Sequence, residues 1–373
     1  MKIWIPPVIY FAGIYAMFIS ILITPFIIYW TKKKKLLDTP NHRASHIIPT
    51  PTLGGVGIFI ASVSSILTWY WGQMTFPSEV PVFIGTITVL FIVGLRDDLV
   101  EIRASRKLFI QLSLSFIIAY SGIRITSLHG LLGIYEINIF YQYALTILVI
   151  AGITNALNLL DGINGLAGGI SFINLVVFTL LFLQNENLAF AIVAASLAGG
   201  VLGFLRYNFN RAKIFMGDTG SLVLGFSLAV LAIKFLHVGS HNGNPSMIIV
   251  VGIMILPVFD TIRVFVQRIV SGGSPFKADK THIHHLLLKL GLSHLGSSLV
   301  LYVANLALIG LAIILHKTSV DLMSSMVVIV ILATWLTELI TIVKLSRSSG
   351  EHKKLLHIEQ ELTAQNVLLK KNV

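Results

Sequence analysis

Phe215-Met216-Gly217-Asp218-Thr219-Gly220-Ser221 lies between two apolar runs, one ending near Leu205 and the next beginning at Leu222. Aspartate at the centre of a membrane helix costs roughly 2.5–3.5 kcal/mol on insertion scales, so an acid kept at the edge of such a run faces a protein interior or marks a reaction site. Gly217 and Gly220 let the backbone turn sharply and let a ligand come close. Thr219 and Ser221 add hydroxyls and amides at the start of the following helix, where anions are favoured. The same pattern also serves as a plain N-cap ahead of an apolar run, and the heptapeptide alone does not separate the two readings.

The surrounding chain narrows the choice. Of 373 residues, 55% are hydrophobic and 12% charged, and mean hydropathy is +0.86. Soluble domains carry about 25% charged residues, so the composition predicts an all-α, polytopic membrane bundle. The absence of cysteine excludes disulfides, thiolate metal sites and cysteine nucleophiles. Eleven apolar runs qualify as spans: 8–30, 53–71, 80–95, 108–123, 140–154, 166–183, 187–205, 221–238, 246–259, 297–315 and 320–343. The first is too long for a signal-peptide core and reads as a retained helix.

Charge sets the expected orientation. With the N-terminus outside, the inside segments are 31–52, 96–107, 155–165, 206–220, 260–296 and 344–373. They hold 5, 4, 0, 3, 5 and 6 Lys and Arg, or 23 of the chain's 27. That asymmetry predicts about 11 transmembrane helices with a cytoplasmic C-terminus. It also explains the net charge of +11 without a nucleic-acid partner. The chain divides into a membrane unit, 1–349, and a charged, amphipathic cytoplasmic tail, 350–373.

The acids and histidines collect on the same inside segments. Asp38-Thr39-Pro40-Asn41-His42-Arg43-Ala44-Ser45-His46 offers Arg43 and His46 to an anion, against a solvated-loop reading of equal standing. In Arg96-Asp97-Asp98-Leu99-Val100-Glu101 the adjacent carboxylates repel unless a cation or proton relieves them. Asp97 and Glu101, four apart, would share a helix face. Paired acids suit Mg²⁺, which takes oxygen ligands and keeps water and phosphate in its shell. Pairing with Arg96, Arg103 or Arg106 would be the structural alternative.

Asn155, Asn158 and Asp161 recur every three residues, a polar stripe on one helix face, and this segment through Asn164 has no lysine or arginine. Last comes the long loop with Asp260, Arg263, Arg268, Ser274-Pro275-Phe276 and Thr281-His282-Ile283-His284-His285. Without cysteine, histidine and arginine donors around a polyphosphate fit this cluster better than zinc does.

Taken together, the 97–98 acid pair, the 155–166 block, the 215–221 block and the 282–285 histidines resemble the polyprenyl-phosphate N-acetylhexosamine-1-phosphate transferases, membrane enzymes of the glycosyltransferase 4 type. The resemblance covers Asp38 to about His285 and implies a reaction. A UDP-linked N-acetylated sugar would donate its sugar 1-phosphate to undecaprenyl phosphate, with Mg²⁺ (or Mn²⁺) required and UMP leaving. It would start a cell-envelope polysaccharide in the inner membrane, at a cytoplasmic active site.

By the same resemblance Asp218 binds the metal, with Asn155 beside it, and Asp97 and Asp98 handle the lipid phosphate. Asn155, Asn158, Asp161 and Asn164 line the nucleotide site. His282, His284 and His285 match the cluster that approaches the diphosphate, and relatives imply a homodimer; Arg43 and His46 as anion ligands and Arg263 as a donor to the leaving phosphate are candidates from the residues themselves. Two positions depart from the pattern. Asn164 stands where the family commonly has a second acid. Glu101 stands where the muramyl-pentapeptide branch has lysine, and so leans to a smaller sugar, as does the Ser-Pro-Phe loop. N-acetylglucosamine, N-acetylquinovosamine and N-acetylfucosamine all fit, muramyl-pentapeptide transfer is the near alternative, and anion transport is the alternative of another class.

Overall fold

The computed structural model describes residues 6–38, 49–71, 77–241, 247–274, 281–318, 320–338 and 340–341. Its helices are α1 (Pro7–Lys33), α2 (Gly54–Trp71), α3 (Glu79–Leu99), α4 (Ala104–Tyr120), α5 (Ile139–Leu160) and α6 (Leu166–Gln184). There follow α7 (Leu188–Asn208), α8 (Gly217–His241), α9 (Met247–Val270), α10 (Ile283–Lys289) and α11 (His294–Lys317). A further apolar helix covers Leu322–Glu338. Eight of these helices are long and apolar enough to cross a membrane, which makes this a multi-pass membrane protein.

Each of the eleven apolar runs falls within or overlaps a helix, and most of the helices outrun them, three of them into polar sequence of functional interest. The runs 80–95, 140–154 and 246–259 stop at the first polar residues, whereas α3, α5 and α9 carry the helix on through Asp98, Asn158 and Arg263. Two small antiparallel pairs also depart from the all-α expectation: β1 (Leu37–Asp38) with β2 (Thr50–Pro51), and β3 (Ser127–Leu131) with β4 (Ile134–Glu136).

Between helices in lipid there is no water to expel, so close packing and hydrogen bonds hold the bundle. Small residues allow this. Ala12, Ala16, Ser20 and Thr24 recur every four residues along the buried face of α1. That face lies on α7, where a Cβ added to Gly199 would come 2.0 Å from the Gly13 carbonyl oxygen.

α8 is the central helix, 89% buried along its span, and packs on α2, α3, α5 and α6. Its N-terminus is fixed by backbone. Gly54 N–H donates to Phe215 O at 2.9 Å, Gly55 N–H to Met216 O at 2.8 Å, and Phe215 N–H to Pro51 O at 2.7 Å. A Cβ on Gly55 would fall 2.1 Å from Gly220 N, so this contact requires glycine. At the far end of the same helix Lys234 Nζ pairs with Glu79 Oε1 at 2.8 Å and lies 5.0 Å above the Phe190 ring. This pair ties α8 to the start of α3, which runs antiparallel to it.

Candidate active site

Asp97 and Asp98 occupy the last turn of α3, and the chain leaves the helix there because Asp97 takes over a backbone donor. Its Oδ1 accepts from Ile102 N–H at 2.6 Å, while Val100 is already extended. A side chain that captures nearby N–H groups competes with helix continuation. Glu101 thus lies beyond the helix and does not share a face with Asp97, which corrects the expectation from spacing.

The two aspartates do different work. Asp98 caps the neighbouring helix, its carboxylate accepting from Asp218 N–H at 2.8 Å, Thr219 N–H at 3.0 Å and the Thr219 hydroxyl. Gly217, with φ +71°, makes the turn that aims these donors at it, in the left-handed region that glycine enters without strain. Asp97 instead meets Asp218 through a cation. Lys107 Nζ lies 2.8 Å from Asp97 Oδ2 and 2.8 Å from Asp218 Oδ2. Asn158 Nδ2 donates to the other oxygen of Asp218 at 3.0 Å and to Ser221 Oγ at 2.8 Å.

The 155–161 stripe divides in three. Asn158 holds Asp218. Asn155 Nδ2 instead donates to the side chain of Gln111, which is buried on α4, and to Ala151 O. Asp161 is not helical; it caps α5 with φ −76° and ψ 50°. Desolvation pushes its carboxyl up to about 7, and the charges of Asp218 and Asp98 add to the shift, which places all three acids within electrostatic reach.

Asn164 turns away from this cluster, its Nδ2 donating to Asn210 O at 3.1 Å. The turn it belongs to is gripped by one face of α11. Asn164 N–H reaches His294 Nδ1 at 3.5 Å, Ser298 Oγ donates to Asn164 O at 2.9 Å, and the Tyr302 hydroxyl donates to Gly165 O.

The histidines join the site across Gly162, where a Cβ would come 2.3 Å from His284 Nε2. His284 is buried, and among the described residues neither of its ring nitrogens has a hydrogen-bond partner. Burial, then the neighbouring His285, lowers it to about 3, so it is a neutral imidazole with a donor and an acceptor to offer. His285 packs on it with ring centroids 4.2 Å apart.

Behind them Asp260 fixes the segment. Its carboxylate accepts from Arg263 Nη2 at 2.8 Å and Ile283 N–H at 3.1 Å, and it contacts His282 Nδ1 at 2.8 Å. Arg263 Nη2 also donates to Thr281 O at 2.7 Å. Asp260 and Arg263 ride on α9 and not, as the sequence implied, in a loop. Arg43, His46, Ser-Pro-Phe 274–276 (beyond Ser274) and the tail 350–373 lie outside the described residues.

Lys107 and Gln111 are thus the site's structural partners that the sequence reading did not single out. A helical signal was available for both. Lys107, Gln111, Leu114 and Ile118 follow a spacing that puts them on one face of α4, and the last three are buried.

Among the described residues no three acidic or histidine side chains gather as a metal-ligand set. The arrangement that does exist is two carboxylates closing on one cation, and it suits a hard ion that takes its remaining ligands from water and substrate phosphates.

The model of glycosyl transferase family 4 matches residues 80–236, from the start of α3 almost to the end of α8. A relative in Bacillus subtilis (strain 168), named "Probable undecaprenyl-phosphate N-acetylglucosaminyl 1-phosphate transferase", is 34% identical over 325 residues, covering 86% of this chain and 88% of its own. A decaprenyl-phosphate N-acetylglucosaminephosphotransferase of Mycolicibacterium smegmatis is 30% identical over 288 residues, 70% of this chain and 71% of that one. An undecaprenyl-phosphate alpha-N-acetylglucosaminyl 1-phosphate transferase of Escherichia coli (strain K12) is 27% identical over 268 residues, again 70% and 71%. With Asp97, Asp98, Asp218 and the helices that carry them inside the matched region, and a relative of such identity along nearly the whole length, the chain belongs to glycosyl transferase family 4.

Proposed function

We propose that the protein transfers N-acetylglucosamine 1-phosphate from UDP-N-acetylglucosamine to undecaprenyl phosphate and releases UMP. The observation that carries this reading is the closure of Asp97 and Asp218 on a single cation at one end of a membrane bundle. Phosphoryl transfer asks a protein mainly for positioning and for neutralisation of spread negative charge. The sugar assignment follows the names of the relatives, all three of them N-acetylglucosamine enzymes, and sets muramyl-pentapeptide transfer aside.

In this mechanism an oxygen of the lipid phosphate attacks the sugar-linked phosphorus. A new phosphorus–oxygen bond forms, the bond to the bridging oxygen breaks, and UMP departs with that oxygen. Asp97 and Asp218 would hold Mg²⁺ (Mn²⁺ would serve), and the ion when bound supplies charge neutralisation on the diphosphate. Lys107 steadies both carboxylates, Asn158 orients Asp218, and Asp98 keeps the α8 N-terminus in place. His284 offers a neutral N–H to a phosphate oxygen, with His282 set by Asp260.

The test is the purified protein with UDP-N-acetylglucosamine, undecaprenyl phosphate and Mg²⁺, followed by nucleotide chromatography. UMP should form in step with lipid product and should vanish in EDTA. UDP as the primary nucleotide would mean attack at the anomeric carbon and would overturn the scheme.

Gly162→Ala probes the histidine contact. The new methyl must displace His284, and shifts of about 1 Å at a reacting centre cost up to 10²-fold. UMP release should fall by about tenfold or more, while thermal unfolding in detergent stays close to wild type.

For the membrane, the reading is eleven spans, α1 to α9, α11 and Leu322–Glu338, with the N-terminus outside and the acid cluster cytoplasmic, in the inner membrane. The lysine and arginine asymmetry supports it. A cytoplasm-active reporter fused after Val373 should be active; activity of a periplasmic reporter there would reverse the topology. Residues 1–349 would form the catalytic unit, with 350–373 a tail, and the assembly expected from the resemblance is a homodimer.

A further inference from the structure

Pro257 stands inside α9. It brings no N–H, so the carbonyl of Ile253, four residues earlier, loses its helical donor. In hydrocarbon no water replaces it, and another part of the protein must. Asn174, on α6, does so: its Nδ2 lies 3.0 Å from Ile253 O. Asn305, on α11, holds Asn174 in turn, its Nδ2 donating to Asn174 Oδ1 at 2.8 Å. Both asparagines are fully buried.

Buried asparagines serve in many membrane bundles as helix-to-helix adhesive. Here, however, the amide falls on the one carbonyl that the proline has left open. The same turn carries a second helix-bending device, Thr261 Oγ1 donating to Pro257 O at 2.9 Å. This is also where α9 changes character. Ile253 to Pro257 are buried, whereas Ile262, Val266, Ile269 and Val270 are exposed. Asp260, one turn past the proline, binds Arg263, His282 and the Ile283 N–H.

We propose that Asn174, held by Asn305, is a positioning residue for the transfer. By taking the Ile253 carbonyl it sets the course of α9 past Pro257, and with it the place of Asp260 and of the histidine segment that Asp260 carries. The proposal rests on the reaction assigned above. Neither asparagine touches the acid cluster; the effect runs through the helix.

The test is a cycle on UMP release per folded enzyme. Asn174→Leu with Asn305→Leu removes both amides and leaves Ile253 O as the group without a donor. Pro257→Ala then restores an N–H within the helix. The leucine pair should lose about tenfold in kcat/KM, with KM for the UDP-sugar raised or kcat lowered, since small displacements of phosphate-binding groups are costly. The triple variant should recover to within about threefold of Pro257→Ala alone, as expected when a lost carbonyl partner is replaced.

A purely structural role would lower the unfolding midpoint in detergent and leave KM and kcat of the folded fraction unchanged, which would overturn the proposal. So would a leucine pair with full activity, or a triple variant no better than the pair. If the pair does not fold, recovery of folded, active triple variant makes the same comparison. Wild type in parallel separates the two ideas. No UMP from wild type would sink the reaction assignment, whereas active wild type with an unrecovered triple variant would sink the positioning role alone.

Discussion

Asp218→Asn is expected to reduce UMP release by about 10³-fold, the scale on which single preorganised electrostatic groups act in closed sites. The asparagine is nearly isosteric and its carbonyl oxygen can still accept from Asn158, which now holds Oδ1 at 3.0 Å. Lys107 keeps Asp97 as a partner at 2.8 Å. Folding should therefore change little, and the unfolding midpoint in detergent should stay within a few degrees of wild type. What disappears is a negative charge facing the cation position. Raising Mg²⁺ should recover only part of the rate. A variant that runs at more than a tenth of the wild-type rate at ordinary Mg²⁺ would remove Asp218 from the centre of the chemistry.

Lys107→Met should have the next largest effect, by another route. Two carboxylates that now share one ammonium would face each other without it, and like charges in a partly buried site cannot both stay ionised at no cost. A loss of about 10²-fold in kcat/KM is expected from misplacement of Asp97 and Asp218. The more telling measurement is stability. A divalent cation can take over the neutralising role of the ammonium, so the variant's unfolding midpoint should fall more in EDTA than in Mg²⁺. Equal shifts in the two solutions would show that the carboxylates do not form a common cation site.

Much of this was legible in the sequence. Every apolar run falls within or overlaps a helix, and the four polar blocks lie at one end of the bundle or on α9 and α10 beside it. The errors in helix length at α3, α5 and α9 follow from one cause. A reading by hydropathy ends a helix where polarity begins, but helical hydrogen bonding does not stop there. α3, α5 and α9 therefore gained the turns that carry Asp97, Asn158 and Asp260.

The converse error came at Glu101. Helical spacing put it beside Asp97, yet the Asp97 side chain captures Ile102 N–H and ends the helix first. Partners far apart in sequence gave no local signal. Asp98 caps a helix that begins well over a hundred residues later, and Asp260 meets His282 only because α9 and α10 fold together. Lys107 looked like one more topology anchor among the inside arginines. Its inward direction depended on the face it shares with Gln111.

The double tie between α3 and α8 has a consequence for how this chain tolerates changes of length. Glu79–Lys234 fastens one end of the pair and Asp98 with the Asp218 and Thr219 amides the other. One residue inserted between Glu79 and Asp98 would rotate everything beyond it by about 100° and advance it by about 1.5 Å. Asp98 would leave the α8 N-terminus or Glu79 would leave Lys234, and no local loop lies between them to absorb the slip. Insertions in the 127–136 hairpin outside this pair carry no such penalty. Among relatives, the α3 and α8 spans should behave as fixed rulers, changing length only together.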